Sequence, residues 1–403
     1  MASNTCTVAA EPADGGLLIR LTGSVAADNA PDVEEAITAI RAQWPGLAIT
    51  LDADELEYVA SAGLRVVMRL IKAVGELTLI NANPEVYDVF EMTGFTELMD
   101  VRRAAREVSV EGCEVIGEGG FGKVYRTDPE TIVKVYNPTV TREFVDGERE
   151  QARRTFVLGV PTAIPYDLVR VGDCWGLVFE LLDAKTVAQV IDADPTRVDG
   201  CARTLGNLLK ELHAIEVPAG RLRERAEVLR SWYKDVMGPF LEPDEVRIIC
   251  DYIDSIPQGT TFLHGDYHTK NIMLQKGEPI LIDVGDAAMG HPVFDWAQMC
   301  LNYIMLPGAI RAGMRPESLL GYSVELAAPM WRGQLATYLG TDDAGELDRF
   351  QAMLTPLANL LSTYAGAQIA GATPEYLASR VEQAVRPRNI PAILSAPPIE
   401  WPA

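Results

Sequence analysis

The sequence predicts two folded parts: an α/β domain over about the first 105 residues, and then an α+β unit built from two lobes. Strand-like and helix-like patterns alternate up to about residue 105, which is typical of a small α/β domain. From about residue 108, short apolar strands surround a glycine-rich turn. After about residue 198 the patterns are mostly helical, so a β-rich lobe is expected to precede a helical lobe.

In the first part, apolar runs and apolar residues at helical spacing define the elements. The turn signals Thr22-Gly23 and Thr93-Gly94 close two of them. We predict strands at 17–21, 47–51 and 77–80 and helices at 32–44, 63–74 and 86–92.

In the second part, one helix is predicted at 142–158. The proline-rich residues 396–403 are expected to form an irregular tail. Strands are predicted at 113–116, 124–127, 131–136, 166–171 and 175–181, with shorter ones around 272–283. These elements divide the chain into 1–107, 108–182 and 183–403.

The chain carries a formal net charge of -22. Such a field repels phosphates, so binding to nucleic acid or to an anionic membrane is not expected. Any phosphate-binding site must then be a local exception. The six cysteines are scattered without metal spacing, and neither a secretory leader nor an apolar run of ~20 residues is visible. Together these features predict a cytoplasmic protein with reduced thiols.

The glycine-rich segment is Gly117-Glu-Gly-Gly-Phe-Gly-Lys-Val124. A dinucleotide-binding loop would lead into a helix, but this segment leads into a strand that ends at Asp128-Pro129. It also lacks the G-K-[ST] of a Walker loop. A hairpin with bare backbone at its tip can cover the phosphates of ATP, as in kinases. We therefore predict nucleotide contacts from Gly117, Gly119, Gly120, Phe121, Gly122 and Val124.

Lys134 lies in the next apolar strand, twelve residues after Gly122. It could be an exposed lysine on an edge strand, but the glycine loop upstream favours a lysine that reaches the α- and β-phosphates. Such a lysine needs a carboxylate partner from the following helix. Glu150 is our choice, with Glu148 as the runner-up, because Glu150 is better spaced from the helix end near Gly159.

The strongest segment is His264-Gly-Asp-Tyr-His-Thr-Lys-Asn271, followed by Ile-Leu-Ile-Asp283. Twice, an apolar strand leads into a polar loop. Together the two loops contain several acidic residues and an amide. Asp266 can accept or orient the proton of a phosphate acceptor, and Asn271 and Asp283 offer hard oxygen ligands for Mg²⁺. Each residue alone could merely cap a turn, but the ordered set predicts phosphoryl transfer.

With these motifs, residues from about 110 to 300 resemble the aminoglycoside phosphotransferase and choline kinase group, a branch of the protein-kinase-like fold. Gly265 and His268 stand where protein kinases usually carry arginine and lysine. The resemblance implies that Asp266 is the catalytic base, that Asn271 and Asp283 bind magnesium, and that ATP is the phosphate donor.

The same resemblance implies a hinge for adenine at Phe179 to Leu182, where Glu180 and Leu182 contribute mainly backbone groups. It further implies that Asp295 braces the catalytic loop. His264 is expected to be a second brace, whereas His268 could brace the loop or act as an acid or base.

The first part resembles the STAS domain of anti-anti-sigma factors, through Leu21-Thr-Gly, Leu51-Asp, Tyr58-Val-Ala-Ser61-Ala-Gly-Leu and Thr93-Gly-Phe. In that family the phosphorylated switch serine sits where Ser61 sits here, although Ala60 replaces a frequent aspartate. A helix start also stabilises an added negative charge. The alternative is that Ser61 is only a local N-cap.

Three functional hypotheses follow. The first is an enzyme that phosphorylates a hydroxyl or amine of a small molecule, with the STAS domain as a regulatory module. The second is a signalling kinase that phosphorylates a STAS serine, either Ser61 or that of an anti-sigma-system partner. The third is a pseudokinase scaffold, which the presence of Lys134, Asp266, Asn271 and Asp283 disfavours.

Overall fold

The computed structural model describes residues 5–13 and 16–401. The chain divides into two compact units, Met1–Val108 and Ser109–Ala403. Within the described residues, no helix combines the length and apolarity that a membrane crossing requires.

The first unit is a sheet of mixed direction with helices between its strands. Its helices are α1 (Ala30–Gln43), α2 (Ser61–Val74) and α3 (Pro84–Met92), with a short 3₁₀ turn at Phe95–Glu97. Its strands are β1 (Cys6–Ala13), β2 (Gly16–Val25), β3 (Ile49–Asp52), β4 (Leu56–Val59), β5 (Leu77–Ala82), β6 (Asp100–Arg103) and β7 (Arg106–Glu107). The order is β1-β2-β3-β5-β6, with β4 beside β2, and every pair is parallel except β1 with β2.

The predicted elements of this unit all occur, with ends shifted by a few residues. Leu17, Ile19 and Leu21 alternate along β2 and are buried in the core, which is why their run was recognisable. The sequence did not reveal β1, β4 or β6. Strand β1 alternates between half-buried and exposed residues at the sheet edge, so it carries no long apolar run.

The β-rich lobe of the second unit is an antiparallel sheet with one helix. Its strands stand in the order β11-β12-β10-β9-β8. The helix α4 (Arg142–Val157) packs on β11 and β12, and Tyr136, Val145, Leu168 and Leu177 form the buried contact. The strands are β8 (Glu114–Gly119), β9 (Gly122–Arg126), β10 (Thr131–Tyr136), β11 (Pro165–Val171) and β12 (Cys174–Glu180).

The helical lobe surrounds two small sheets. Its short strands are β13 (Lys185–Thr186), β14 (Thr261–Leu263), β15 (Ile272–Gln275), β16 (Glu278–Leu281) and β17 (Ala288–Gly290). Its helices are α5 (Val187–Ala193), α6 (Val198–His213), α7 (Arg225–Ser231), α8 (Pro243–Asp254), α9 (Val293–Cys300), α10 (Leu306–Arg311), α11 (Ala327–Leu339), α12 (Ala344–Ala370), α13 (Pro374–Arg380) and α14 (Ile390–Leu394). π-Helical turns occupy Trp232–Met237, Leu301–Met305 and Val381–Asn389, and 3₁₀ turns occupy Pro195–Arg197, Gly238–Phe240, Glu317–Leu319 and Val324–Leu326.

Strand pairing brings two polar loops together. Leu263 in β14 pairs with Ala288 in β17, and Ile272 in β15 pairs with Leu281 in β16. The loop 264–271 therefore leaves one small sheet and enters the other, and the loop 282–287 makes the reverse passage. Because both ends of each loop are fixed by the same pairings, the two loops lie side by side.

Glycines allow a close contact between α6 and α11 in this lobe. A Cβ on Gly206 of α6 would lie 2.8 Å from the Gln334 carbonyl oxygen and 2.8 Å from Thr337 Cβ, both in α11. A Cβ on Gly333 would lie 2.7 Å from Ala202 Cβ. The two helices thus approach more closely than side chains at these positions would allow.

We expect Gly206→Ala to lower the free energy of unfolding of the second unit by about 1–3 kcal/mol, because the new methyl group has no room. The matched control is Gly200→Ala on the same helix. Nothing lies within 4 Å of its Cβ position. That change should stabilise by up to about 1 kcal/mol through helix propensity. Denaturant unfolding followed by tryptophan fluorescence measures both; equal effects of the two variants would contradict the packing explanation.

Candidate active site

The two polar loops touch at Gly265 and Asp286. Gly265 has a left-handed φ of 81°, and a Cβ there would lie 2.3 Å from the Asp286 carbonyl oxygen. A side chain at this position would therefore push the loops apart. This contact gives a steric reason for the glycine that separates His264 from Asp266.

Asp295, in the first turn of α9, holds the start of the first loop. Its carboxylate accepts hydrogen bonds from the backbone N–H groups of His264 (2.9 Å) and Gly265 (2.8 Å). His213 Nε2 lies 3.1 Å from the same carboxylate, which is fully buried. Burial opposes ionisation of Asp295, but the contact with His213 and the loop amides outweigh it, so its pKa is lowered.

No sequence motif pointed to His213 as a site residue. It lies at the end of α6, 82 residues before Asp295, and its Nδ1 is 2.7 Å from the Tyr338 hydroxyl. A lone histidine in an amphipathic helix is not part of a recognisable sequence motif. Only the packing of α6 against α9 and α11 makes it the link in a Tyr338–His213–Asp295 chain.

His264 lies inside the loop rather than at its surface. It is fully buried, and its Nδ1 accepts the backbone N–H of Asp266 at 3.2 Å. Burial lowers the pKa of its imidazole, which is therefore neutral at physiological pH. With Nδ1 accepting, the proton lies on Nε2, which has no hydrogen-bond partner among the described residues. These contacts suit the bracing role and place no reactive nitrogen in the cleft.

The Asp266 side chain is one-third exposed and faces two donors. His268 Nε2 lies 3.3 Å from Oδ2, and Asn271 Nδ2 donates to Oδ2 at 3.1 Å. The His268 ring is oriented by the backbone N–H of Lys270, which donates to Nδ1 at 3.2 Å. Desolvation alone would raise the pKa of Asp266, yet His268 and Asn271 lower it to about 2. At neutral pH Asp266 is an ionised carboxylate, and its Oδ1 makes no hydrogen bond among the described residues.

Lys134 joins the two lobes through its ammonium group. Its Nζ lies 2.6 Å from Glu148 Oε1 on α4 and 3.2 Å from Asp283 Oδ1 on the second loop. Although burial acts to lower the pKa of Lys134, the carboxylates of Asp283 and Glu148 raise it overall. The cluster gathers three segments separated by as many as 149 residues.

The choice of Glu150 as the partner of Lys134 was wrong. Glu150 is half exposed and forms an ion pair with Arg154 at 3.0 Å, one turn along α4. Residues two positions apart on a helix differ in direction by about 200°, so only one of Glu148 and Glu150 can face the sheet. Glu148 faces the sheet. Its side chain also lies close to Gly285, where a Cβ would be 3.3 Å from Glu148 Cγ.

The glycine-rich segment forms a hairpin, with Gly119 paired to Gly122 and Gly120 and Phe121 at its tip. Gly122 has no room for a side chain, since a Cβ would lie 2.0 Å from the Val135 carbonyl oxygen. Gly119 and Gly120 differ: nothing lies within 4 Å of either Cβ position. Gly117 faces Val124, whose side chain would be 3.6 Å from a Cβ. The fold thus requires glycine at 122 but not at 119 or 120.

Asn271 comes just before β15 and Asp283 comes just after β16, at the open end of this hairpin, where the Ile282 N–H donates to the Asn271 carbonyl at 2.9 Å. Asp283 has a left-handed φ of 58° and a half-exposed side chain. Among the residues described, no group of three or more His, Cys, Asp or Glu side chains could by itself hold a metal ion. An amide and a carboxylate oxygen fit Mg²⁺ only if phosphate or water oxygens complete its ligand shell.

The chain between the lobes follows β12. The Glu180 N–H and carboxylate both bond the backbone of Ile164, and the Leu181 N–H donates to the Glu130 carbonyl. The Leu182 N–H has no hydrogen-bond partner in the described ranges, while its carbonyl accepts from Ala184. Leu182 therefore offers a backbone donor to an outside acceptor.

In the first unit, Ser61 is exposed at the first helical position of α2. The N-cap residue is Ala60, with φ −81° and ψ 169°, and it provides no side-chain cap. Ser61 is therefore not an N-cap. Its hydroxyl lies at the positive end of a 14-residue helix whose first turn contains no acidic residue.

Comparisons with known proteins separate the two units. Residues 7–108 match the model of the STAS domain, and residues 113–333 match that of the phosphotransferase enzyme family. BtrV of Bordetella bronchiseptica, provisionally named an anti-sigma factor antagonist, is 37% identical over 92 residues, which is 22% of this chain and 78% of BtrV.

Two solved structures give weaker matches. The ADP-bound aminoglycoside phosphotransferase APH(2'')-Ib is 17% identical, with a TM-score of 0.43 over 68% of this chain and 92% of that chain. An anti-sigma factor antagonist from Mycobacterium paratuberculosis is 23% identical, with a TM-score of 0.24 over 25% of this chain and 88% of that chain.

The phosphotransferase match covers more than half of the sequence and includes both polar loops, Lys134 and the glycine-rich hairpin. The STAS match accounts for nearly all of the first unit. The chain belongs to the phosphotransferase enzyme family and carries a STAS domain before its phosphotransferase domain.

Proposed function

We propose that this protein transfers the γ-phosphate of ATP, with Mg²⁺, to a hydroxyl or amine of a small molecule, and that the STAS domain regulates the reaction. The observation that carries the proposal is the bonding of Lys134 Nζ to both Glu148 and Asp283. It fixes an ammonium group, a candidate phosphate ligand, beside the carboxylate expected to bind the metal.

The acceptor's proton would go to Asp266. His268 and Asn271 both contact Oδ2, so Oδ1 is available to a hydroxyl. The acceptor oxygen bonds to the γ-phosphorus, the bond to the ADP oxygen breaks, and the acceptor proton passes to Oδ1 and then to solvent. With a pKa of about 2, Asp266 is a weak base. That suits a loose transition state, in which the acceptor oxygen gives up its proton late.

The nucleotide would lie between the hairpin and the second loop. Gly119 and Gly120 leave open space where side chains would be, so backbone N–H groups can approach phosphate oxygens. The Leu182 N–H, which has no partner among the described residues, would donate to adenine. Asn271 and Asp283 would hold Mg²⁺, which when bound neutralises charge on the phosphates.

Glu148→Gln is expected to lower ATP turnover by on the order of 10²-fold, because Lys134 loses the carboxylate that aims it. Glu150→Gln makes the same change two residues away and should leave turnover within about twofold, since Glu150 is half exposed and forms its ion pair with Arg154. Release of labelled phosphate from ATP measures both variants. A larger loss in Glu150→Gln would refute the assignment of Glu148.

Asp266→Asn is expected to lower turnover by about 10²–10⁴-fold while ATP affinity changes by less than about twofold, because the amide cannot accept the acceptor's proton. Asp342→Asn, at an exposed loop position, is the control for the loss of one carboxylate. Screening acceptor molecules with labelled ATP and measuring ATP affinity by calorimetry provide the two readouts. Undiminished transfer by Asp266→Asn would rule out its role as the base.

A second candidate function is that the phosphotransferase domain phosphorylates a STAS serine. The exposure of Ser61 at the positive end of α2 favours it. This candidate predicts that labelled ATP transfers phosphate to the wild-type chain or to a separate STAS partner.

For self-phosphorylation, label should be absent from both Ser61→Ala and Asp266→Asn, with Ser109→Ala as the control for loss of a serine outside the STAS domain. Mass spectrometry of the labelled peptide locates the phosphate. Label that persists in Ser61→Ala would exclude Ser61 as the acceptor.

A further inference from the structure

We infer that Asn137 is a positioning residue for the nucleotide: it holds the tip of the glycine-rich hairpin so that a backbone N–H faces the phosphates beyond the α-phosphate. This inference rests on the proposed function and deepens it. No catalytic-site motif in the sequence includes Asn137, which follows directly after β10.

One residue binds two consecutive carbonyl groups of the hairpin tip. The Asn137 backbone N–H donates to the Phe121 carbonyl at 2.8 Å. The Asn137 side-chain Nδ2 donates to the Gly120 carbonyl at 3.0 Å. Since Lys134 lies three residues earlier on β10, Asn137 ties the hairpin tip to the strand that carries the ammonium group.

These two bonds decide the direction of the neighbouring N–H groups. Among the described residues every peptide bond is trans, and in a trans peptide the C=O and the following N–H point in opposite directions. With the Gly120 carbonyl directed to Asn137, the Phe121 N–H points away from it. That N–H has no hydrogen-bond partner within the described part of the chain. It is a donor held in place for an outside acceptor.

The surroundings keep the tip in this arrangement. The absence of a side chain at Gly122 lets β9 approach the Val135 carbonyl of β10, which brings Asn137 within reach. On the other side, the Phe121 ring packs on Phe144 of α4 with centroids 5.6 Å apart. Open space at Gly119 and Gly120 leaves the tip accessible to a triphosphate.

Comparing the affinities of four ligands separates this role from general support of the lobe. The ligands are adenosine, AMP, ADP and ATP. If the tip binds the phosphates beyond the first, as inferred, Asn137→Ala should weaken ATP and ADP binding by about threefold to tenfold, as expected for one lost hydrogen bond. Adenosine and AMP should change by less than about twofold. Asn137→Asp keeps the shape but cannot donate, and should also weaken ADP relative to adenosine.

Thr139→Ala is the matched control, because its side chain lies in the same exposed turn and makes no hydrogen bond among the described residues. Isothermal calorimetry with Mg²⁺ gives the affinities, and thermal unfolding of each variant confirms an intact fold. Unchanged ADP affinity in Asn137→Ala, or an equal loss for adenosine and ADP, overturns the role of Asn137. A wild-type protein that binds ADP no better than adenosine overturns the phosphate cradle of the proposed function itself.

Discussion

The buried carboxylate of Asp295 is the constraint on which the loop 264–271 depends. An ionised group taken out of water is costly unless donors surround it, and here two loop amides and His213 do so. Because His213 is bound in turn to Tyr338, the loop is fixed to α6 and α11 as well as to α9. The position of Asp266 thus follows from packing deep in the helical lobe.

The ammonium group of Lys134 performs the corresponding task between the lobes. It is mostly buried, and it has two carboxylate partners, from α4 and from the second loop. Both carboxylates depend on the same cation, so removal of Lys134 would leave two like charges facing each other without compensation. The lobes are therefore joined at the point where the nucleotide phosphates would lie. A change in the relative position of the two lobes would also change the alignment of the groups in the site.

Local patterns were sufficient for the elements with clear apolar runs in the first unit and the β-rich lobe, and for the order of the chemical groups. Apolar runs located β2, β10 and β12, and the spacing from His264 to Asp283 identified the two polar loops. Local patterns do not show which side chains, far apart along the chain, become partners in the fold. Glu148 and Glu150 are the same residue type two positions apart on α4, and only the fold shows that Glu148 faces Lys134 whereas Glu150 faces Arg154. His213 and Asn137 belong to no sequence motif. Their roles depend on the residues that pack beside them in the folded chain.

The sequence by itself determined the family, the two-part organisation and the candidates Lys134, Asp266, Asn271 and Asp283, because glycine spacing and polar loops after apolar strands are local properties. The tertiary structure decided how those groups are held. It selected Glu148 over Glu150, gave Asp266 the partners His268 and Asn271, and linked Asp295 to His213. The physical reason is that hydrogen bonds and ion pairs act over about 3 Å in space, whatever the separation along the chain.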